Sequence, residues 1–263
     1  MPRLACSFLG TFQVTLEETP VTAFVSDKAR ALLAYLAVEA DRPHRRETLA
    51  GLLWPDHPQT AALNSLRQAL FNLRQVMGDQ EASPPMLFIT RQTIQFNPKG
   101  DHWLDVAAFT QHLAANRQHA HLRHELCELC LRHLQQAAEL YRGNFLEGLT
   151  PKDSLAFDEW ALLRREWLHG QALDVFQRLA DYHEGCGHHE QARQYALRQI
   201  ELDPWREEAH QQLMRALALN GLRSAAMAQY ETCRRILADE LGVEPTPETT
   251  ALYERIRAGA YQS

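Results

Sequence analysis

Between Asn64 and Gln75 the chain places several side chains that each make two directed hydrogen bonds at once: Asn64, Arg67, Gln68, Asn72, Arg74 and Gln75, with Phe71 among them. An arginine fork matches O6 and N7 of guanine, and an Asn or Gln carboxamide matches N6 and N7 of adenine. The chemistry on offer is recognition of base edges, not bond cleavage. At about 100° per residue, Leu63, Leu66, Leu70, Leu73 and Met77 fall within about 80° of arc, which predicts a helix from Thr60 to Met77 buried on that side. Opposite them lie Asn64, Gln68, Phe71 and Gln75. Arg67 and Asn72 flank this face, and Arg74 sits nearer the apolar edge. An ordinary surface helix also has a polar face. This one contains no Asp or Glu, although the chain carries a formal net charge of −6. Carboxylates here would be repelled by a phosphate backbone, so their absence favours a nucleic-acid partner.

A reading helix needs a scaffold, and the first 100 residues supply one. Phe8, Phe12, Val14 and Leu16 belong to short strands, with Gly10 and Glu17-Glu18-Thr19-Pro20 as breaks. Ser26 caps a helix carrying Ala29, Leu32, Leu33, Leu36 and Ala37. A second helix starts near Arg46 and buries Leu49, Leu52, Leu53 and Trp54. Thr60 caps the third, and Gly78 stops it. Leu87–Thr90 and Thr93–Phe96, separated by Arg91-Gln92, form a hairpin without the usual turn glycine. Strands, three helices and a hairpin make a winged helix-turn-helix over residues 1–98. Asn97-Pro98-Lys99-Gly100-Asp101 is the expected boundary. Lys28, Arg30, Arg45, Arg46 and Arg91 are positioned to meet phosphates, Arg91 at the wing tip. Asp41, Glu47, Asp56, Asp79 and Glu81 fall in or near loops, away from the reading face.

From about Leu104 almost to the end the pattern is helical, and residues 102–263 read as an all-helical second domain. Leu179, Gly187 and Ala192 recur 34 residues later as Leu213, Gly221 and Ala226, the period of a tetratricopeptide-like helix pair. Asp203-Pro204 and Thr246-Pro247 each offer a cap followed by proline at the first helical position. The fold class is therefore mainly α: a winged helix with small strands, then a helical repeat domain.

His119, His121, His124, Cys127, Cys130 and His133 invite a metal reading, and Cys127-x-x-Cys130 has zinc-ligand spacing. Helical steps of three and four instead align Cys127, Cys130, Leu134, Ala137 and Tyr141 as a core seam, with His124 and His133 off it. Cys186-Gly187-His188-His189 falls in a repeat turn. No phosphate loop, nucleophile elbow or metalloprotease helix motif occurs, and Asp158-Glu159 opens a helix. No enzyme activity, metal or cofactor is expected.

Charge divides unevenly. Residues 1–100 carry ten Lys/Arg against nine Asp/Glu, and the remainder carry seventeen against twenty-four. The near-neutral first part permits DNA binding without proving it. No run approaches the roughly 18 apolar residues of a membrane span, the N-terminus lacks an apolar leader, and five cysteines suit a reducing cytoplasm. Two other readings are a repeat-type interaction scaffold or signalling adaptor whose winged helix binds protein, and a metal enzyme built on the His/Cys stretch.

Several runs carry a resemblance. Leu140–Leu146, Leu155–Trp160, Leu202–His210, Gln229–Arg235 and Glu240–Thr249 look like the bacterial transcriptional activator domain. Lys28–Leu33, Leu52–Pro55 and Asn64–Leu70 are similar to the OmpR-type winged helix that precedes it. Together they resemble the Streptomyces antibiotic regulatory proteins. The resemblance implies an activator that binds double-stranded DNA at promoter direct repeats, often as a side-by-side homodimer, and recruits RNA polymerase. It places the reading helix at about Thr60–Met77. Wing glycines are absent, and no nucleotide-binding domain follows, which implies the small architecture if the chain is full length.

Overall fold

The computed structural model describes residues 3–80, 82–118 and 127–260. Glu81, His119, His121 and His124 lie outside them. The chain forms two compact units, one of residues 1–112 with 139–168 and one of 113–138 with 169–263.

In the first unit, β1 (Leu4–Ser7), β2 (Gln13–Leu16), β3 (Thr19–Pro20) and β7 (His102–Leu104) make a sheet of order β3-β2-β1-β7. Glu17 and Glu18 do more than break the strand. Their φ values of 49° and 67° make a two-residue turn closed by the Leu16–Thr19 pair, the conformation that matches strand twist. Pro20 is tolerated because β3 is an edge strand. Strand β7 runs parallel to β1, with Cys6 opposite Leu104, so residues on both sides of Asn97–Asp101 share this sheet. Asp105, next in sequence, turns back on β1 and accepts the amides of Phe8 and Leu9.

The helices of the winged helix are α1 (Asp27–Val38), α2 (Arg46–Leu53) and α3 (Gln59–Val76). The Ser26 hydroxyl accepts the Ala29 amide, as its sequence position predicts. Leu32, Leu33, Leu36, Leu49, Leu53, Leu66, Leu70 and Leu73 are buried. Leu52 is only partly so. Helix α3 starts one residue earlier than expected, with Pro58 rather than Thr60 at its N-cap. A second sheet, β4-β6-β5, contains β4 (His44–Arg45), β5 (Leu87–Ile89) and β6 (Thr93–Phe96).

In the second unit the 34-residue repeat becomes successive helix pairs. Helix α6 (Leu155–Gly185), of which the residues from 169 on belong to this unit, and α7 (His189–Leu202) turn at Gly187, and α8 (Glu207–Leu219) and α9 (Arg223–Leu241) turn at Gly221. Both glycines stand at φ near 75°, a left-handed conformation a side chain would strain. Ala196, Leu213, Met214, Leu217, Ala226 and Tyr230 share a core with Leu252 and Ile256 of α10 (Pro247–Arg257). Pro247 opens α10 as expected, whereas Pro204 lies in the turn before α8, whose N-cap is Arg206. Glu207 links the two helix starts, accepting the Thr246 amide and the Thr246 and Thr249 hydroxyls.

Cys130, Leu134 and Ala137 are buried on α5 (Glu128–Leu140), and Tyr141 is buried just beyond it. Cys127, also expected on this seam, lies just before α5 and is only half-buried. Helix α4 (Asp105–Gln118) precedes it. Among the described residues no group of three or more His, Cys, Asp or Glu side chains is placed to hold a metal ion. Among them, too, no helix is long and apolar enough to cross a membrane.

His210 is fully buried. Its Nε2–H donates to the Pro204 carbonyl at 2.9 Å, and Nδ1 faces the Gln229 amide at 2.6 Å. Burial lowers its pKa from 6.5, against the opposing pull of Glu207 and Asp203. Burial lowers that of His183 as well, helped by His188. A depressed histidine pKa means the unfolded chain takes up the proton first. Its stabilisation is complete above about pH 6.5 and is lost as pH falls through the folded value. Thermal melts are expected to show the second unit less stable at pH 5.5 than at pH 7.5, with a smaller difference in His210→Gln.

Candidate nucleic-acid interface

Helix α3 buries Ala62, Leu66, Ala69, Leu70 and Leu73, packed against α1 and α2. Asn64, Arg67, Gln68, Phe71 and Gln75 remain exposed on the other side. Arg67 Nη1 donates to Asn64 Oδ1 at 2.8 Å, so the two side chains are held together before any ligand arrives. This lowers the rotamer entropy that binding would otherwise cost. Phe71 stands 64% exposed among these polar groups.

Two residues expected on the face are engaged elsewhere. Asn72 is buried, contrary to expectation. Its Oδ1 accepts the Val25 amide at 3.1 Å and its Nδ2 donates to the Ala23 carbonyl at 3.1 Å, clasping the strand-to-helix connection. An extended segment has backbone groups to satisfy, and a carboxamide supplies one donor and one acceptor. Arg74 pairs with Asp79 at 3.0 Å. Asp79, read from sequence as a loop acid, is buried, and its other oxygen accepts the amides of Met86 and Leu87 at 2.6 and 3.1 Å. This knot ties the end of α3 to the start of the wing.

The wing is tight without glycine. The Thr90 hydroxyl accepts the Gln92 and Thr93 amides at 3.2 and 2.9 Å, doing locally what a special backbone conformation would otherwise do. Arg91 and Gln92 are thereby exposed at the tip. Gln92 was not singled out from sequence, although its place between two strand runs was a usable signal. Arg46 is tethered to the wing twice: its amide donates to the Gln92 carbonyl and its Nε to the Thr90 carbonyl. Arg45 is exposed on β4, which pairs with β6; this third strand was too short to read. Lys28 is drawn to other groups, its ammonium 5.7 Å over the Trp54 ring and 3.5 Å from the Asp153 carbonyl. Burial lowers its pKa, against the pull of Asp153 and Asp56.

The family model of the bacterial transcriptional activator domain matches residues 104–257, more than half of the sequence. The chain belongs to this family. Among curated relatives it is similar to the transcriptional regulatory protein EmbR of Mycobacterium tuberculosis, 29% identical over 258 residues. That alignment covers 97% of this chain and 63% of EmbR. The regulatory protein AfsR of Streptomyces coelicolor is 30% identical over 235 residues, covering 88% of this chain and 22% of AfsR. The chain thus spans less than two thirds of the length of either relative. A solved structure of M. tuberculosis EmbR in complex with a low-affinity phosphopeptide matches with a TM-score of 0.70 at 26% identity. It covers 98% of this chain and 66% of that one. As a member of the activator-domain family with these relatives, the chain has the architecture of the Streptomyces antibiotic regulatory proteins: winged helix, then helical repeats.

Proposed function

We propose that this protein is a sequence-specific DNA-binding transcriptional activator, acting in the cytoplasm on double-stranded promoter DNA. Residues 1–98 bind direct repeats, and residues 102–263, the activator domain, serve assembly with a second copy and with RNA polymerase. Its relatives named as regulators support this reading. One observation carries it: the exposed face of α3 combines Asn64, Arg67, Gln68 and Gln75 without a single carboxylate over the length of the helix. That surface suits base edges flanked by phosphate. Arg91 at the wing tip and Arg45 beside it supply charge for the backbone. No catalytic step is assigned.

Salt dependence tests the proposal. Binding to a labelled duplex is expected to weaken steeply with salt, by about 10³-fold between 50 and 200 mM if about six phosphates are neutralised. Absence of duplex binding at 50 mM salt, or affinity indifferent to salt, would overturn it and return the winged helix to a protein-binding scaffold.

A further inference from the structure

Phe71 is the one member of the α3 surface that cannot make a directed hydrogen bond, and it sits at the centre of that surface. Helical spacing puts Arg67 and Gln75 four residues to either side, Gln68 three before and Asn64 seven before, all exposed. A phenylalanine left 64% exposed forgoes the burial that drives most aromatic rings inside. Its neighbours on α3 that pack inward are Leu70 and Leu73, both buried. The ring is therefore not a misplaced core residue. It is the apolar centre of a polar ring.

In the major groove the base pairs present acceptors, amino donors and a single apolar group, the C5-methyl of thymine. Resting on the reading of α3 as the DNA-contacting helix, we infer that Phe71 is a specificity-determining residue that packs on a thymine methyl within each bound repeat. The flanking amides and the Arg67–Asn64 pair at 2.8 Å take the adjacent purine edges. The recognised element then contains an obligatory thymine beside a guanine or adenine. The ring earns its affinity by removing that methyl and its own face from water, a non-directional gain that no polar residue at position 71 would reproduce.

Deoxyuridine isolates the methyl, because it differs from thymidine in that group alone. A duplex recovered by the protein from a random-sequence pool is rebuilt with each thymine replaced in turn by deoxyuridine. For the wild type, one position per repeat is expected to lose about three- to fivefold in affinity, the effect of one buried methyl. Phe71→Ala should bind the thymine and deoxyuridine duplexes equally, whereas Phe71→Leu should keep part of the preference. Salt-sensitive binding with indifference to every deoxyuridine replacement overturns this inference alone. The same holds if Phe71→Ala retains the wild-type penalty. Recovery of no duplex at low salt overturns the DNA-binding reading and this inference with it.

Discussion

Asp105→Ala is expected to destabilise the first unit by about 3–5 kcal/mol, measured by urea unfolding at neutral pH. The carboxylate is fully buried and takes the Phe8 amide on both oxygens, at 2.9 and 2.8 Å, with the Leu9 and Val106 amides at 2.9 and 2.8 Å. Arg142 closes the set with a guanidinium at 3.0 Å. Burial raises the Asp105 pKa, against the pull of these amides and of Arg142. Phe8 and Leu9 are themselves fully buried, so truncation strands backbone donors where water does not reach. Asp105→Asn should lose less, because one carbonyl oxygen still accepts. A loss below about 1 kcal/mol for the alanine variant would show that these amides find other partners. The consequence reaches recognition, since α3 belongs to the same compact unit. Near the melting temperature, DNA binding should fall with folding although Asp105 lies outside the reading face.

No local pattern announces Asp105. Its partners at Phe8 lie 97 residues away, and sequence periodicity records only neighbours. What was legible is what a helix or turn writes locally. Ser26 capped α1, Gly187 and Gly221 marked equivalent turns, and Leu66, Leu70 and Leu73 of α3 faced inward, with Leu63 half-buried beside them. The failures share one physical origin. Asn72 looks like any surface carboxamide until the connection carrying Ala23 and Val25 is laid against it. Asp79 looks like a loop acid until Arg74 and two wing amides converge on it. Strand β7 was not read from the sequence, because its pairing partner, β1, begins the chain. Polar residues commit to tertiary partners that composition cannot reveal, whereas apolar ones need only a side of the helix. The candidate interface was thus readable as a face. Which of its polar members remain available for a ligand was not.

The members that remain available should divide the work between sequence and backbone. Arg67→Ala is expected to weaken binding to the preferred duplex by about 1–3 kcal/mol, roughly 5- to 150-fold, and to flatten the preference over a scrambled duplex. Arg67 is exposed at the middle of the face and already oriented by Asn64, so its fork meets base edges with little ordering cost. Arg67→Lys should fail to restore the preference, since an ammonium has no planar pair of donors. Arg91 occupies a different chemical position. It projects from a tip whose backbone is pinned by Thr90 and whose root is held by Arg46, so it meets phosphate as a fixed charge. Arg91→Ala should weaken preferred and scrambled duplexes by similar factors and reduce the salt slope by about one. Fluorescence anisotropy with both duplexes over a salt series separates the two patterns. Identical behaviour of the Arg67 and Arg91 variants would remove the distinction between a reading helix and a positioning wing, because only a base contact can lower affinity and preference together.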